Sequence, residues 1–303
     1  MDPKRLRVLR NEYKRQDVFR CVHDAHAHFS NRVSVHHVLT EKKCFPGGCI
    51  YFLWRCKLLN KGTTCPRGFR HVGRKCFGCR EFYDEKVINR PEILLDEAGF
   101  RAFRADFEKF TDWVDEVRGR EVCFTGTVSA VKPMLSRVLS GKKETIRFGD
   151  FLVCFDGGFF DMTRLDDLSY LVVGRTAYGR HRFRRGDRVE LWAKVGFDRG
   201  RIVMTRPRRI DFEARGDGDV WREGDAIVAA RIGAVVAGQP EPCMACEKGC
   251  LVDLAGDGSA RPGRKRELVC LEGNDGPDGC AFRIEKILTE HRCVHDEAGV
   301  QDD

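Results

Sequence analysis

No apolar run in this sequence reaches the roughly 18 residues that a membrane-spanning helix needs. The nearest, Ala226 to Gly238, contains Arg231. The opening stretch, MDPKRLRVLRNEYKR, has no apolar core and does not read as an export signal. These absences predict a cytoplasmic chain with no membrane partner. Disulfides are not expected there, with the cytoplasm of a hyperthermophile as the exception. A P-loop, a dinucleotide fingerprint and a Ser-His-Asp order are missing as well, so the sequence leans away from an enzyme.

Cysteine, by contrast, is abundant: 15 in 303 residues. With disulfides disfavoured, clustered thiols point to metal. The net charge of +8 conceals a gradient. Residues 1–90 carry 20 Lys+Arg against 8 Asp+Glu, residues 91–118 carry 4 against 8, residues 119–215 carry 20 against 12, and residues 216–303 carry 10 against 18. A polyanion would be drawn to the first and third blocks.

The third block holds the most informative stretch, Phe183 to Phe212. After the Gly186-Asp187 turn, Val189, Leu191, Ala193 and Val195 alternate with Arg188, Glu190, Trp192 and Lys194. That is the period of a half-buried strand, with one face for a core and one carrying a ring and cations. Phe197 to Gly200 closes a hairpin, Arg201 to Thr205 returns, and Arg206, Arg208 and Arg209 crowd around Pro207. Three earlier strands are expected at Glu121–Val128, Arg147–Phe155 and Asp167–Val173, with Gly126 as a bend.

Five strands in this order, with a Gly-Asp turn before the fourth, resemble the OB-fold over about residues 119–213. The short basic segment Arg175 to Arg185 stands where that fold often places a helix. The resemblance implies an antiparallel barrel that holds single-stranded nucleic acid on the face of its second and third strands and the flanking loops. Stacking candidates are Phe148, Phe159, Phe160, Tyr170, Tyr178, Phe183 and, foremost, Trp192 beside Lys194. Phosphate candidates are Lys142, Lys143, Arg147, Arg175, Arg180, Arg182, Arg184 and Arg185.

Two cysteine-rich modules flank this block. In the first, Cys76-Phe-Gly-Cys79 is a knuckle and Cys44-Phe-Pro-Gly-Gly-Cys49 a looser turn, and the two facing each other would make a four-thiolate zinc site. Cys56 reads as core. Cys65, followed by Pro66, favours the rival, an iron–sulfur cluster on Cys65, Cys76, Cys79 and one earlier cysteine. Arg67, Arg70, His71, Arg74, Lys75 and Arg80 are interleaved, and Arg70, Arg74 and Lys75 are further phosphate candidates. In the second, Cys243, Cys246 and Cys250 with Cys270 suit zinc first and a 4Fe-4S cluster second; Cys280, Cys293, His291 and His295 are left over. The acidic surroundings there suit a protein partner. Pro242-Cys-Met-Ala-Cys246 matches half of a zinc-deaminase signature, but no His-x-Glu precedes it.

Elsewhere, Val18, Val22, Ala25, Phe29 and Val33 follow a helical period, which predicts a helical segment over 1–43 with a solvated histidine face. A long helix is expected from Pro91 to about Val117, stopped by Gly119. The expected organisation is therefore α+β and multidomain: 1–43 helical, 44–90 cysteine-rich, 91–118 connecting helix, 119–214 barrel, 215–303 acidic and cysteine-rich. The expected function is metal-dependent binding of single-stranded DNA or RNA. An iron–sulfur redox protein and a nucleic-acid-modifying enzyme are the alternatives.

Overall fold

The computed structural model describes residues 6–23, 26–27, 31–140, 143–237, 241–255, 265–278 and 280–281. Strands and helices follow in the order β1 (Arg7–Leu9), β2 (Phe19–Arg20), β3 (Arg32–Val33), β4 (Cys49–Cys56), α1 (Lys57–Asn60), β5 (Phe82–Asn89), β6 (Glu92–Ile93) and α2 (Glu97–Val117). Then come β7 (Glu121–Ser140), β8 (Lys143–Phe160), β9 (Thr163–Val173), α3 (Arg175–His181), β10 (Arg188–Asp198) and β11 (Arg201–Ala214). The last elements are α4 (Glu223–Ile232), β12 (Ala234–Val236), α5 (Glu241–Ala245), β13 (Gly249–Ala255) and β14 (Lys265–Cys270). The chain is mixed α+β and forms two units, Glu12–Glu108 and Met1–Asn11 with Lys109–Asp303.

The larger unit contains a closed five-stranded barrel. β7 pairs antiparallel with β8, and β8 with β9; β9 runs parallel to β11; β11 pairs antiparallel with β10; and β10 returns to β7. The barrel is thus mixed, where an antiparallel one was expected. The parallel β9–β11 pair arises because the chain crosses over through α3 before β10 and β11 form their hairpin. Alternation works as the sequence predicts: Val189, Leu191, Ala193 and Val195 are buried, and Arg188, Glu190, Trp192 and Lys194 face out. Phe124, Phe155, Leu171, Ile202 and Met204 complete the interior. Where β7 and β8 lose register, Gly126 and Gly158 make room for the buried Phe124 ring. A Cβ on Gly158 would stand 2.6 Å from that ring and 2.9 Å from the Thr125 carbonyl.

The Gly186-Asp187 turn is fixed by the Asp187 carboxylate, which is fully buried and accepts hydrogen bonds from the Arg184 N–H (2.9 Å) and the Gly216 N–H (2.8 Å). Trp113 of α2 lies edge-on to Phe160 at 5.5 Å. The β7–β8 hairpin continues beyond the barrel. There β7 pairs in parallel with β13, which leads to β14 and β12. Cys250, Val252, Val269 and Leu271 pack with Ala229 and Ala230 of α4 in a second core.

In the smaller unit, Val18, Phe19, Val35, Val38, Cys44 and Phe103 form the core. The expected N-terminal helix is not formed: the described residues from 6 to 41 are short strands, a 3-10 turn and a single wide turn at His36–Glu41. The three- and four-residue spacing of valines is satisfied instead by strands that turn Val18, Phe19 and Val33 into one core. Ala25, Phe29 and His28 lie outside the described residues. α2 begins at Glu97 rather than Pro91, because Glu92–Ile93 pairs with β2. The Asp96 side chain accepts the Gly99 N–H at 2.7 Å and starts the helix. Gly119, at φ +74°, follows its end.

Candidate nucleic-acid interface and thiol sites

Trp192 lies on the outer face of β10 and is 36% exposed. Lys194 is two residues along on the same face. Arg208 is its cross-strand partner on β11, and Cys123 is its partner on β7. The register slips once on each side of this pair: Lys194 opposes Thr205, Trp192 opposes Arg208, and Glu190 opposes Asp211. Each slip inserts one residue into β11, so two bulges flank Arg208. They contain Arg206 at φ +56° and Arg209 at φ +49°, both exposed. Acids share the face: Arg188 pairs with Glu213 at 2.6 Å, and Arg208 approaches Glu121 at 3.9 Å.

The other expected contacts fall elsewhere. Tyr178 is buried on α3, stacked on Phe151 with centroids 3.8 Å apart. Its hydroxyl donates to the Phe183 carbonyl (3.0 Å) and accepts the Trp221 N–H (3.2 Å). Burial pushes its pKa up to about 12. It is a packing residue, as are the buried Phe160 and Phe183. Tyr170 is half-buried beneath the Arg201 guanidinium, 5.3 Å from its ring centre, and burial pushes it up to about 12 also. Phe159 is exposed, Phe148 packs against the second core, and Arg147 is exposed on the extended hairpin.

Arg175, Arg182 and Arg185 line a separate open groove of about 1310 Å³ with Trp221 and Lys248. Cations there meet carboxylates: Arg175–Glu223 at 2.7 Å, Arg185–Glu247 at 3.7 Å and Lys248–Glu272 at 2.9 Å. Arg180 is exposed on α3, and Arg184 is half-buried beside the Asp187 turn. Lys142 and the Lys143 side chain lie outside the described residues. Arg70, Arg74 and Lys75 are exposed in the smaller unit.

The C-terminal segment is tied to β7 and to the β10–β11 turn. Lys132 donates to the carbonyls of Cys246 (2.7 Å) and Gly249 (2.8 Å). Arg266 of β14 reaches Asp198 in the β10–β11 turn at 2.6 Å and also pairs with Asp253. Burial alone would raise the Asp198 carboxyl, but hydrogen bonds from Arg201 and Arg266 prevail and hold it below the usual range. These ties were not legible beforehand, because the partners are up to 117 residues apart.

The cysteines sort differently from expectation. Cys44 is buried in the smaller unit's core with Cys49 packed against it; burial, then the neighbouring Cys49 and Cys21, raise the Cys44 pKa. Cys49 and Cys56 begin and end the eight-residue β4, so they stand about 23 Å apart at strand rise. Cys76 and Cys79 share a cavity with Cys56 and Cys65. Cys44 and Cys49 do not line that cavity with Cys76 and Cys79. In the second module Cys250 is also core. Its thiol donates to the Pro133 carbonyl at 3.1 Å, and burial pushes it up to about 11. Cys270 and Cys280 instead share the Asn274 amide, at 3.9 and 3.8 Å, and the Cys246 sulfur accepts the Lys248 N–H at 3.4 Å. Cys243 is half-buried. Cys123 and Cys154 are on barrel strands as expected, Cys154 buried and Cys123 partly so. Cys293, His291 and His295 lie outside the described residues. Among the described residues no disulfide is formed, and no three His, Cys, Asp or Glu side chains stand close enough to hold a metal ion.

Comparison with protein-family models, with curated proteins and with solved structures gave no match to this chain.

Proposed function

We propose that this protein binds single-stranded DNA or RNA on the outer face of β10 and β11, and that its barrel is of the OB type. The strand circuit supports the second point: first, second, third, fifth, fourth and back to first, with the third and fifth parallel and a short helix before the fourth. One observation carries the first point. A strict alternation buries one face of β10 and leaves Trp192 in water, next to Lys194 and across from Arg208. Single strands bind surfaces that join a stacking ring to cations following the backbone, because every base has a π-face whatever its identity. Arg206 and Arg209 extend the cationic edge. Zinc is the cofactor proposed for the thiol clusters, with a 4Fe-4S cluster as its rival; metal content and visible spectrum decide between them.

The test is affinity for a labelled single-stranded oligonucleotide across a salt series. Affinity should fall with salt, with a slope near 0.7 per phosphate neutralised, and duplex of the same sequence should bind less tightly. A salt-independent response, or no binding at low salt, would remove the reading.

A further inference from the structure

The stretch from Ile50 to Arg90 is almost without a core. It forms the β4–β5 ribbon, the single turn α1 and a 3-10 turn at Arg74–Cys76, and one residue in it is buried: Cys56. A two-stranded ribbon is marginal in water on its own, and a segment that buries so little needs another source of folding free energy. At the end of this ribbon is a cavity of about 20 Å³ lined by Cys56, Cys65, Cys76 and Cys79, with Leu59, Phe69 and Phe82 among its apolar walls.

The backbone explains why four cysteines from three parts of the chain line it. Cys56 ends β4 opposite Phe82 of β5. The Lys57 N–H donates to the Glu81 carbonyl at 2.9 Å, so the chain leaving Cys79 is held against the chain leaving Cys56. Cys76 and Cys79 frame a tight turn, with the Cys79 N–H on the Cys76 carbonyl at 2.9 Å. Cys65 starts another, with the Gly68 N–H on its carbonyl at 2.9 Å.

We propose that this cavity is a structural zinc site whose four ligands are the thiolates of Cys56, Cys65, Cys76 and Cys79. Four sulfurs and no water complete a tetrahedral zinc shell. The space suits one ion, being about that of one water molecule; a cube of four irons and four sulfides would have to displace the walls. Four thiolates around a divalent ion carry two net negative charges, and the exposed Arg67, Arg70, Arg74, Lys75 and Arg80 surround the module. The side chains do not converge to ligand distance, so binding turns the thiols inward and releases a proton from each. The energy gained is folding energy for a segment that lacks a core. This site stands independently of the oligonucleotide reading, and either can fail alone.

The test maps thiol reactivity in the intact wild-type protein. Purified zinc-loaded protein is alkylated with iodoacetamide, with and without prior chelation, and modified cysteines are located by mass spectrometry. Cys65, Cys76 and Cys79, half-exposed in the structure, should be protected when loaded and should become reactive together with Cys56 on chelation. Cys49 should not follow them. In parallel, Cys65→Ser and Cys79→Ser should each lower zinc content by about one ion per chain, and Cys49→Ser should leave it unchanged. Alkylation of Cys65 and Cys79 at the same rate with and without chelator would overturn the proposal. So would a chelator response at Cys49 equal to theirs.

Discussion

Arg206 and Arg209 give the barrel face its most specific prediction. Both hold left-handed backbone, at φ +56° and +49°, in the bulges on either side of Arg208. An L-residue in that region is disfavoured by roughly 1–2 kcal/mol because its Cβ crowds the carbonyl oxygen. Glycine escapes this crowding but loses about 0.5–1 kcal/mol more conformational entropy on folding. Arg206→Gly and Arg209→Gly should therefore each stabilise the barrel by about 0.5–1 kcal/mol. The two sites are three residues apart, about 10 Å along a strand, so their effects should nearly add. Arg208→Gly, between them and without the left-handed geometry, should go the other way by about 0.5–1 kcal/mol. The assay is amide hydrogen exchange of β10–β11 peptides through a urea series, which reads this hairpin directly. All three variants should bind oligonucleotide less tightly, with salt slopes flatter by about 0.7 for each phosphate no longer neutralised. A raised stability coupled to weaker binding is the signature. Destabilisation by all three glycines would refute the strain argument.

Three further outcomes follow from the packing and the charges. Gly158→Ala should destabilise the barrel by about 1–3 kcal/mol, since the added methyl meets a buried ring that cannot yield; a shift in urea midpoint reads it, and an unchanged midpoint would place Phe124 elsewhere. Asp198 has a depressed pKa, so its contribution is present above the unfolded value near 3.9 and fades as pH falls below it. Asp198→Asn should be less stable than wild type at neutral pH, and the difference should narrow in acid. His26 has a lowered pKa, first from burial and then from the neighbouring His37 and His23. Its neutral form is the one the fold favours, so the smaller unit should lose stability as pH falls through about 6.5. His26→Gln should flatten that part of the profile, measured by thermal melting between neutral and mildly acid pH.

Period-two alternation made the barrel readable. In β10 every second residue from Val189 to Val195 is buried, and the pattern needs no knowledge of distant partners. The same local logic misread the N-terminus. Val18, Val22 and Val33 are spaced for a helix, yet long-range pairing of β2 with β3 and β6 buries Val18 and Val33 and leaves Val22 exposed. Cysteine spacing grouped Cys65 with Cys76 and Cys79 only under the iron–sulfur alternative and left the earlier cysteine open; those three line one cavity with Cys56. Cys56 looked like core because it follows an apolar run; it is buried, but among other thiols. Cys44 and Cys49 looked like a second knuckle, and an eight-residue strand carries Cys49 away from the cavity. Tyr170, Tyr178 and Trp192 are all stacking candidates in the sequence, Trp192 foremost because Lys194 shares its strand face. Phe151 covers Tyr178 and Arg201 covers Tyr170, while the outer face of β10 leaves Trp192 open.

The most direct measurement is the affinity of wild type and Trp192→Ala for one single-stranded oligonucleotide at fixed moderate salt, with folding checked by hydrogen exchange of the barrel. Loss of one stacked base should weaken binding by about 1–3 kcal/mol, roughly five- to 150-fold. Equal affinity in a folded Trp192→Ala variant would contradict the assignment of the β10–β11 face.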